Sequence, residues 1–348
     1  MTVCGRGRVQ QAARWLKNRF TQGALILLYH RIVELPSDPY LLCVTPQNFA
    51  EHLAILRKQG HPMRLQQLAQ ALRDGNLPRR AIVVTFDDGY YDNLYNAKPL
   101  LERYDIPATV FVTTGYIGHK HEFWWDELDK VLLQAGTLPE TLRLSINGSP
   151  YQWELGEAAH YSDDDYRCYS CWNVAQQNDP SPRQYLFRSL WHLLHPLSEE
   201  ERRKALDELL AWAGTESMAR STHLTLSLDE VIQLEEGALV EVGAHTVTHQ
   251  VLSSLPASAQ WDEIGRSKAY LGEILAHPVN SFAYPHGLRE HYTTETVAIV
   301  RDSGFACACS AFAGIVGRGT DYYQLPRVLI HDWDGDAFAR QLWTFFHG

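Results

Sequence analysis

Apolar positions along the chain fall into short unbroken runs separated by amphipathic stretches. That is the alternation of buried strands with surface helices that makes an α/β fold. Ala24–Tyr29 and Ala81–Phe86 are apolar or β-branched throughout, as strands buried on both faces of a parallel sheet are. Between them Thr45-Pro46 supplies an N-cap and a first-turn proline, Phe49, Leu53 and Leu56 an apolar stripe, and Gly60 a stop, so a helix is predicted there. Leu94, Ala97, Leu101 and Tyr104 mark the next helix, and 108–113 the next strand. The rhythm breaks over 126–222. There 126–135 reads as a helix and 142–155 as a hairpin around Asn147-Gly148. Ser198 and Glu201 form a capping box ahead of a Leu-rich helix, and Asp163 to Asp165 read as a solvated loop. Alternation resumes at the Ser227/Glu230 capping box. Strands are predicted over 239–244, 281–284, 305–310 and 325–330, and helices over 261–275, 294–303 and 338–346. The expected organisation is one α/β unit, 24–125 plus 223–348, around a mostly helical insertion, 126–222, with a basic helix over 1–23.

Composition narrows the function more than the fold. The 348 residues carry 31 Lys+Arg against 41 Asp+Glu, a net charge of −10, which excludes a duplex nucleic-acid binder. Six cysteines are too few for a disulfide scaffold, and Cys168 and Cys171 have no second pair at zinc-site spacing, so all are read as reduced structural thiols. Arg6, Arg8, Arg14, Lys17 and Arg19 surround a helical face of Val9, Ala13, Leu16 and Phe20. The pattern fits a helix packed on the domain with its basic face solvated; the alternative is peripheral membrane contact through residues 6–20. No secretory pattern follows, so a cytoplasmic, or membrane-associated, location is expected.

Two constellations carry chemistry. In Thr85-Phe86-Asp87-Asp88-Gly89-Tyr90, paired carboxylates follow a buried strand, at the end where α/β folds place their sites. One can hold a metal while the other handles a proton. In His245-Thr246-Val247-Thr248-His249 two imidazoles stand at i and i+4, the same side of a helical turn, again after a strand. No Glu follows the first His, so the zinc-protease helix is excluded. An Asp and two His with open positions suit Zn²⁺, with Co²⁺ or Ni²⁺ as alternatives.

With these motifs the sequence resembles the polysaccharide deacetylases of carbohydrate esterase family 4, whose shared unit is the NodB-homology domain. T-F-D-D-G matches the first family motif, His245 to His249 the second, and Ser281-Phe282-Ala283-Tyr284-Pro285-His286-Gly287 the third. The resemblance spans roughly residues 24–125 and 226–346. It implies a distorted (β/α) barrel, one divalent metal on Asp88, His245 and His249, and Asp87 as general base in removing N-acetyl groups from amino sugars. A backbone N–H near Tyr90 is the expected oxyanion donor. Ala283 stands where many members carry an Arg that orients the base. The F-A-Y-P-x-G form resembles instead the branch acting on poly-N-acetylglucosamine-type exopolysaccharides, in which an N-terminal His is the acid. That assigns His30, with His331 as the alternative. Tyr284 and Pro285 are expected on the groove floor, and Trp125 as a sugar platform or as an anchor for the insertion. The implied substrate is an N-acetylated glycan, or a lipid-linked sugar, of a bacterial surface pathway. The rival functions are a deformylase-type amide hydrolase and an inactive glycan-binding or assembly protein.

Overall fold

The structure is a computed structural model and describes residues 23–347. The basic N-terminal segment, and with it the expected membrane contact through residues 6–20, lies outside the described residues. Seven parallel strands form the central sheet: β1 (Ala24–Tyr29), β2 (Ala81–Phe86), β3 (Ala108–Val112), β4 (Val240–Ala244), β5 (Ser281–Ala283), β6 (Cys307–Cys309) and β7 (Val328–Leu329). Their order is β6-β5-β4-β3-β2-β1-β7, and the short His61–Pro62 segment also pairs with β2. One stretch of chain joins the sheet's two edges. Residues 322–325 pair with β6 through Tyr322 O and Leu325 N–H, and three residues later β7 pairs with β1. The result is a distorted (β/α) barrel, as the motifs led one to expect.

Period-two alternation sorts the strand side chains. Leu25, Leu27, Ile82, Val84, Val110, Val112 and Val242 share one cluster with the outer helices. Ala24, Ile26, Ala81, Val83, Phe111, Ala283, Cys307 and Cys309 form a second, interior cluster. Parity carries this inward face of β2 on through Thr85 to Asp87, which brings the carboxylate to the barrel's C-terminal mouth. The helix Pro46–Gln59 begins as its sequence requires, with Thr45 Oγ1 accepting from Asn48 N–H, and stops at Gly60.

Residues 126–222 build a further apolar cluster of their own, from the helices Trp124–Leu132, Pro182–Leu194 and Glu199–Ala213 and the hairpin Thr141–Ile146/Ser149–Glu154. The cluster takes in Tyr90, Tyr116 and Phe123 from the barrel side. Asn147 and Gly148 both have positive φ, as a two-residue hairpin turn demands. The acidic run Asp163 to Asp165 is not a loop. It is the first turn of the helix Asp163–Tyr169, capped by Ser162, where three carboxylates face the positive end of the helix dipole. Arg220 clasps the two ends of this region, donating to Glu122 Oε2 at 2.7 Å, Asp129 Oδ2 at 2.6 Å and the Asp126 carbonyl at 2.9 Å. Among the described residues no helix is long and apolar enough to cross a membrane.

Candidate metal centre

β2 ends in a turn that only an unusual backbone can make: Asp88 has φ 76° and Gly89 φ 85°. This reversal turns both carboxylates inward, which an extended chain cannot do. Across β3, β4 ends at Ala244, and His245 follows it directly. The segment that follows is not the helical turn that i, i+4 spacing suggests. It is a tight loop in which Thr246 and His249 take left-handed φ values of 65° and 56°. The loop, not a helix face, brings the imidazoles together, with ring centroids 4.9 Å apart.

Asp88, His245 and His249 are all buried, and they present ligand atoms within 4.8 Å of one another. Asp88 Oδ1 lies 3.3 Å from His249 Nε2 and 3.6 Å from His245 Nε2. The His245 Nδ1–H donates to the Ala283 carbonyl at 2.8 Å, which fixes the tautomer and leaves the Nε2 lone pair free. Burial pushes the His245 imidazole down to about 4, so at neutral pH it is uncharged and fit to be a ligand. Burial would raise Asp88, but the His249 hydrogen bond and charge outweigh it and bring the carboxyl to about 2. An ionised carboxylate and two imidazoles converging in a buried pocket fit a divalent cation.

Asp87 belongs to a separate constellation. Arg327, fully buried, grips it in a fork: Nη1 to Oδ1 and Nη2 to Oδ2, both 2.7 Å. Arg327 Nε donates to Ser310 O at 2.7 Å, and Nη1 reaches Thr85 Oγ1 at 3.2 Å. Burial alone would raise the Asp87 carboxyl; the Arg327 and His245 charges override it and hold it below the usual range. His245 Nε2 is 3.8 Å from Asp87 Oδ2, so the two constellations share a wall. The Arg missing at Ala283 is thus replaced by Arg327, which sequence reasoning overlooked. Its signal was an arginine inside the apolar run Leu325 to Ile330, a position a charge occupies only when paired.

The remaining expected residues are dispersed around this centre. His30 follows β1, half-buried. Burial lowers its pKa, while the nearby Asp88 and Asp87 charges oppose the shift. Its Nδ1 is buried without a hydrogen-bond partner. His331 follows β7 and lies edge-on to Trp333. Tyr90 is fully buried, its hydroxyl donating to Asp126 Oδ2 at 2.7 Å and accepting from Trp125 Nε1 at 2.9 Å. Trp125 stands edge-on to His249, 4.8 Å between centroids, and stacks on Phe123, so it backs the His249 ring and also anchors the insertion. Tyr284 is corrected. Its ring stacks on Tyr292 in the core and its hydroxyl donates to the Tyr323 carbonyl at 2.8 Å, so the side chain does not line a groove. Pro285 beside it is buried. An imidazole series continues outward from His249 through His286, at 4.7 Å, to His195 of the insertion, at 4.3 Å.

Residues 74–138 and 212–308 match the family model described as polysaccharide deacetylase. A Staphylococcus aureus (strain MSSA476) relative named poly-beta-1,6-N-acetyl-D-glucosamine N-deacetylase is 32% identical over 285 residues, covering 81% of this chain and 65% of the relative. YxkH of Bacillus subtilis (strain 168) is 31% identical over 150 residues, or 42% of this chain; the chain spans only 52% of that relative's length. The solved structure of IcaB from Ammonifex degensii superposes with a TM-score of 0.57 at 19% identity, covering 94% of this chain and 97% of that one. The fold is therefore shared over most of the chain, while the family model matches the segments from β2 to β6 on either side of the insertion. The match places residues 74–138 and 212–308, the part of the barrel that carries Asp87, Asp88, His245 and His249, in the polysaccharide deacetylase family.

Proposed function

We propose that this chain is a metal-dependent hydrolase that removes the acetyl group from an N-acetylated amino sugar of an exopolysaccharide or surface glycan. The observation that carries the reading is the meeting of Asp88, His245 and His249 beside an Asp87 locked by Arg327. The staphylococcal relative's name supports a polymeric N-acetylglucosamine as the substrate class.

A divalent ion held by Asp88, His245 and His249, Zn²⁺ first and Co²⁺ or Ni²⁺ in its place, would supply Lewis-acid polarisation of the acetamide carbonyl. The chain's own residues do the rest. Asp87, fixed and ionised, takes a proton from the water that attacks the carbonyl carbon. The neighbouring Gly89 and Tyr91 N–H groups are spent on the Asp87 and Leu224 carbonyls, so the Tyr90 N–H is the donor the turn offers to the developing oxyanion. His30 delivers a proton to the sugar nitrogen as the C–N bond breaks, giving acetate and a free amine. His30 lies close enough to Asp87, Asp88, His249 and Arg327 for their charges to act on it, which favours it over His331.

The test is acetate release across N-acetylated glycans and lipid-linked sugars. Wild type should turn over with about one divalent ion per chain. Asp88→Ala should lose both ion and turnover. His30→Ala should cost about 10²–10⁴-fold in turnover at unchanged metal content, and His331→Ala much less. The reverse ranking would move the acid role to His331. Formate in place of acetate would identify another amide hydrolase of the same fold, and glycan binding without turnover an inactive binder.

A further inference from the structure

Two of the three ligand side chains ride on five residues, His245 to His249, in which Thr246 and His249 both hold a left-handed backbone that non-glycine residues avoid. Something outside the loop must hold it. On one side the carbonyls are spent: Thr246 O accepts from Thr114 N–H at 3.1 Å and Val247 O from Gly115 N–H at 2.7 Å. Gly115 is required for this approach, since a Cβ there would stand 2.5 Å from the Val247 oxygen. On the other side the successive amides of Val247 and Thr248 converge on a single acceptor, the arrangement that binds anions. That acceptor is Glu263. Its Oε2 accepts from Val247 N–H at 2.9 Å and Thr248 N–H at 2.8 Å, and its Oε1 accepts from Thr248 Oγ1 at 2.7 Å. Within the loop Thr246 Oγ1 accepts from His249 N–H at 3.0 Å.

Glu263 stands on the 19-residue helix Ala257–Leu275, which Ile264, Ser267 and Leu271 anchor in the barrel wall. It reaches no ligand atom itself. From these contacts we infer that Glu263 is a positioning residue of the metal centre: its carboxylate fills the amide nest of the His245–His249 loop and sets the spacing of the two imidazoles. The inference rests on Asp88, His245 and His249 being a metal site. Carboxylates that support ligands from behind typically change metal affinity about 10–100-fold when removed.

The experiment is Co²⁺ titration of the full-length, metal-stripped protein, read by its visible absorption and by chelator competition, with circular dichroism and thermal unfolding of the same metal-free samples. Glu263→Ala should bind Co²⁺ about 10–100-fold more weakly and with an altered spectrum, while its metal-free form keeps the wild-type circular dichroism. At saturating Co²⁺ its deacetylation KM should match wild type. Glu263→Gln keeps an acceptor at the same reach and should recover part of the affinity. Wild-type affinity and spectrum in Glu263→Ala would overturn the inference, and so would a Glu263→Gln that binds no better than Glu263→Ala. Asp88→Ala separates the two readings: if wild type binds Co²⁺ no better than Asp88→Ala, the metal site itself is refuted, whatever Glu263 does.

Discussion

Arg327 shows how the partner of a residue can be hidden in sequence and plain in space. It lies 240 positions from Asp87, and no spacing rule connects the two. Asp88, His245 and His249 were legible because their types and their places after strands are local facts; the partner of Asp87 is a fact of barrel closure. Breaking a buried ion pair typically costs about 3–5 kcal/mol, so Arg327→Ala should lower stability by that order in denaturant titrations. Arg327→Lys keeps the charge but loses the fork. It should fold and bind metal, yet turn over on the order of 10²-fold more slowly, because the base is no longer aimed. Wild-type turnover in Arg327→Lys would show that charge alone suffices. Asp126 gives a pH prediction of its own. Burial lifts its carboxyl to about 8, against an unfolded value of 3.8, with only partial relief from Arg31 and the Tyr90 hydroxyl. The folded state therefore keeps a proton that the unfolded chain has released. Its contribution is complete below the unfolded pKa and is lost between about pH 4 and about pH 8, at about 1.4 kcal/mol per unit for one group. Asp126→Asn mimics the protonated form, so its unfolding free energy should fall less over that range. Parallel pH profiles for the two proteins would contradict the assignment.

Elements were read well where local chemistry decides them and poorly where it does not. The helix Pro46–Gln59 and the hairpin around Asn147-Gly148 stand where caps and turn residues put them. The segment His245 to His249 was misread, because i, i+4 spacing is equally met by a loop with two left-handed residues. Such a loop is held partly by hydrogen bonds to Glu263 and to the Thr114–Gly115 amides, which local sequence does not reveal. Asp163 to Asp165 erred the other way. Three adjacent acids look like solvated loop until Ser162 is recognised as their cap. The 325–330 run divides into a part that pairs with β6 and the two-residue β7, with Pro326 and Arg327 at the break. Hydrophobicity alone cannot place that change of partner.

For the whole molecule, the insertion matters because its histidine enters the outer edge of the site. His195 ends the helix Pro182–Leu194, stacks on Trp191 at 4.5 Å and meets His286 edge-on. Burial pushes its imidazole down to about 3, so it is uncharged at neutral pH. A neutral wall of imidazole and indole suits an uncharged sugar better than an anionic one. His195→Ala should raise KM for a glycan on the order of tenfold, the scale of one lost polar contact, at unchanged metal content. A loss of metal instead would mean that the insertion supports His249 through His286.

The seam between β6 and β1 carries a consequence for the order of events in biosynthesis. By the time residue 249 has left the ribosome, Asp88, His245 and His249 have all been made. The Arg327 guanidinium that grips Asp87 arrives 78 residues later, counting from 249 to 327, on the very segment that joins the sheet's edges. A nascent chain can thus hold Asp88, His245 and His249 while Asp87 still lacks its guanidinium. Closing the barrel and pinning Asp87 are a single step, so on the proposed mechanism hydrolysis waits for a finished fold.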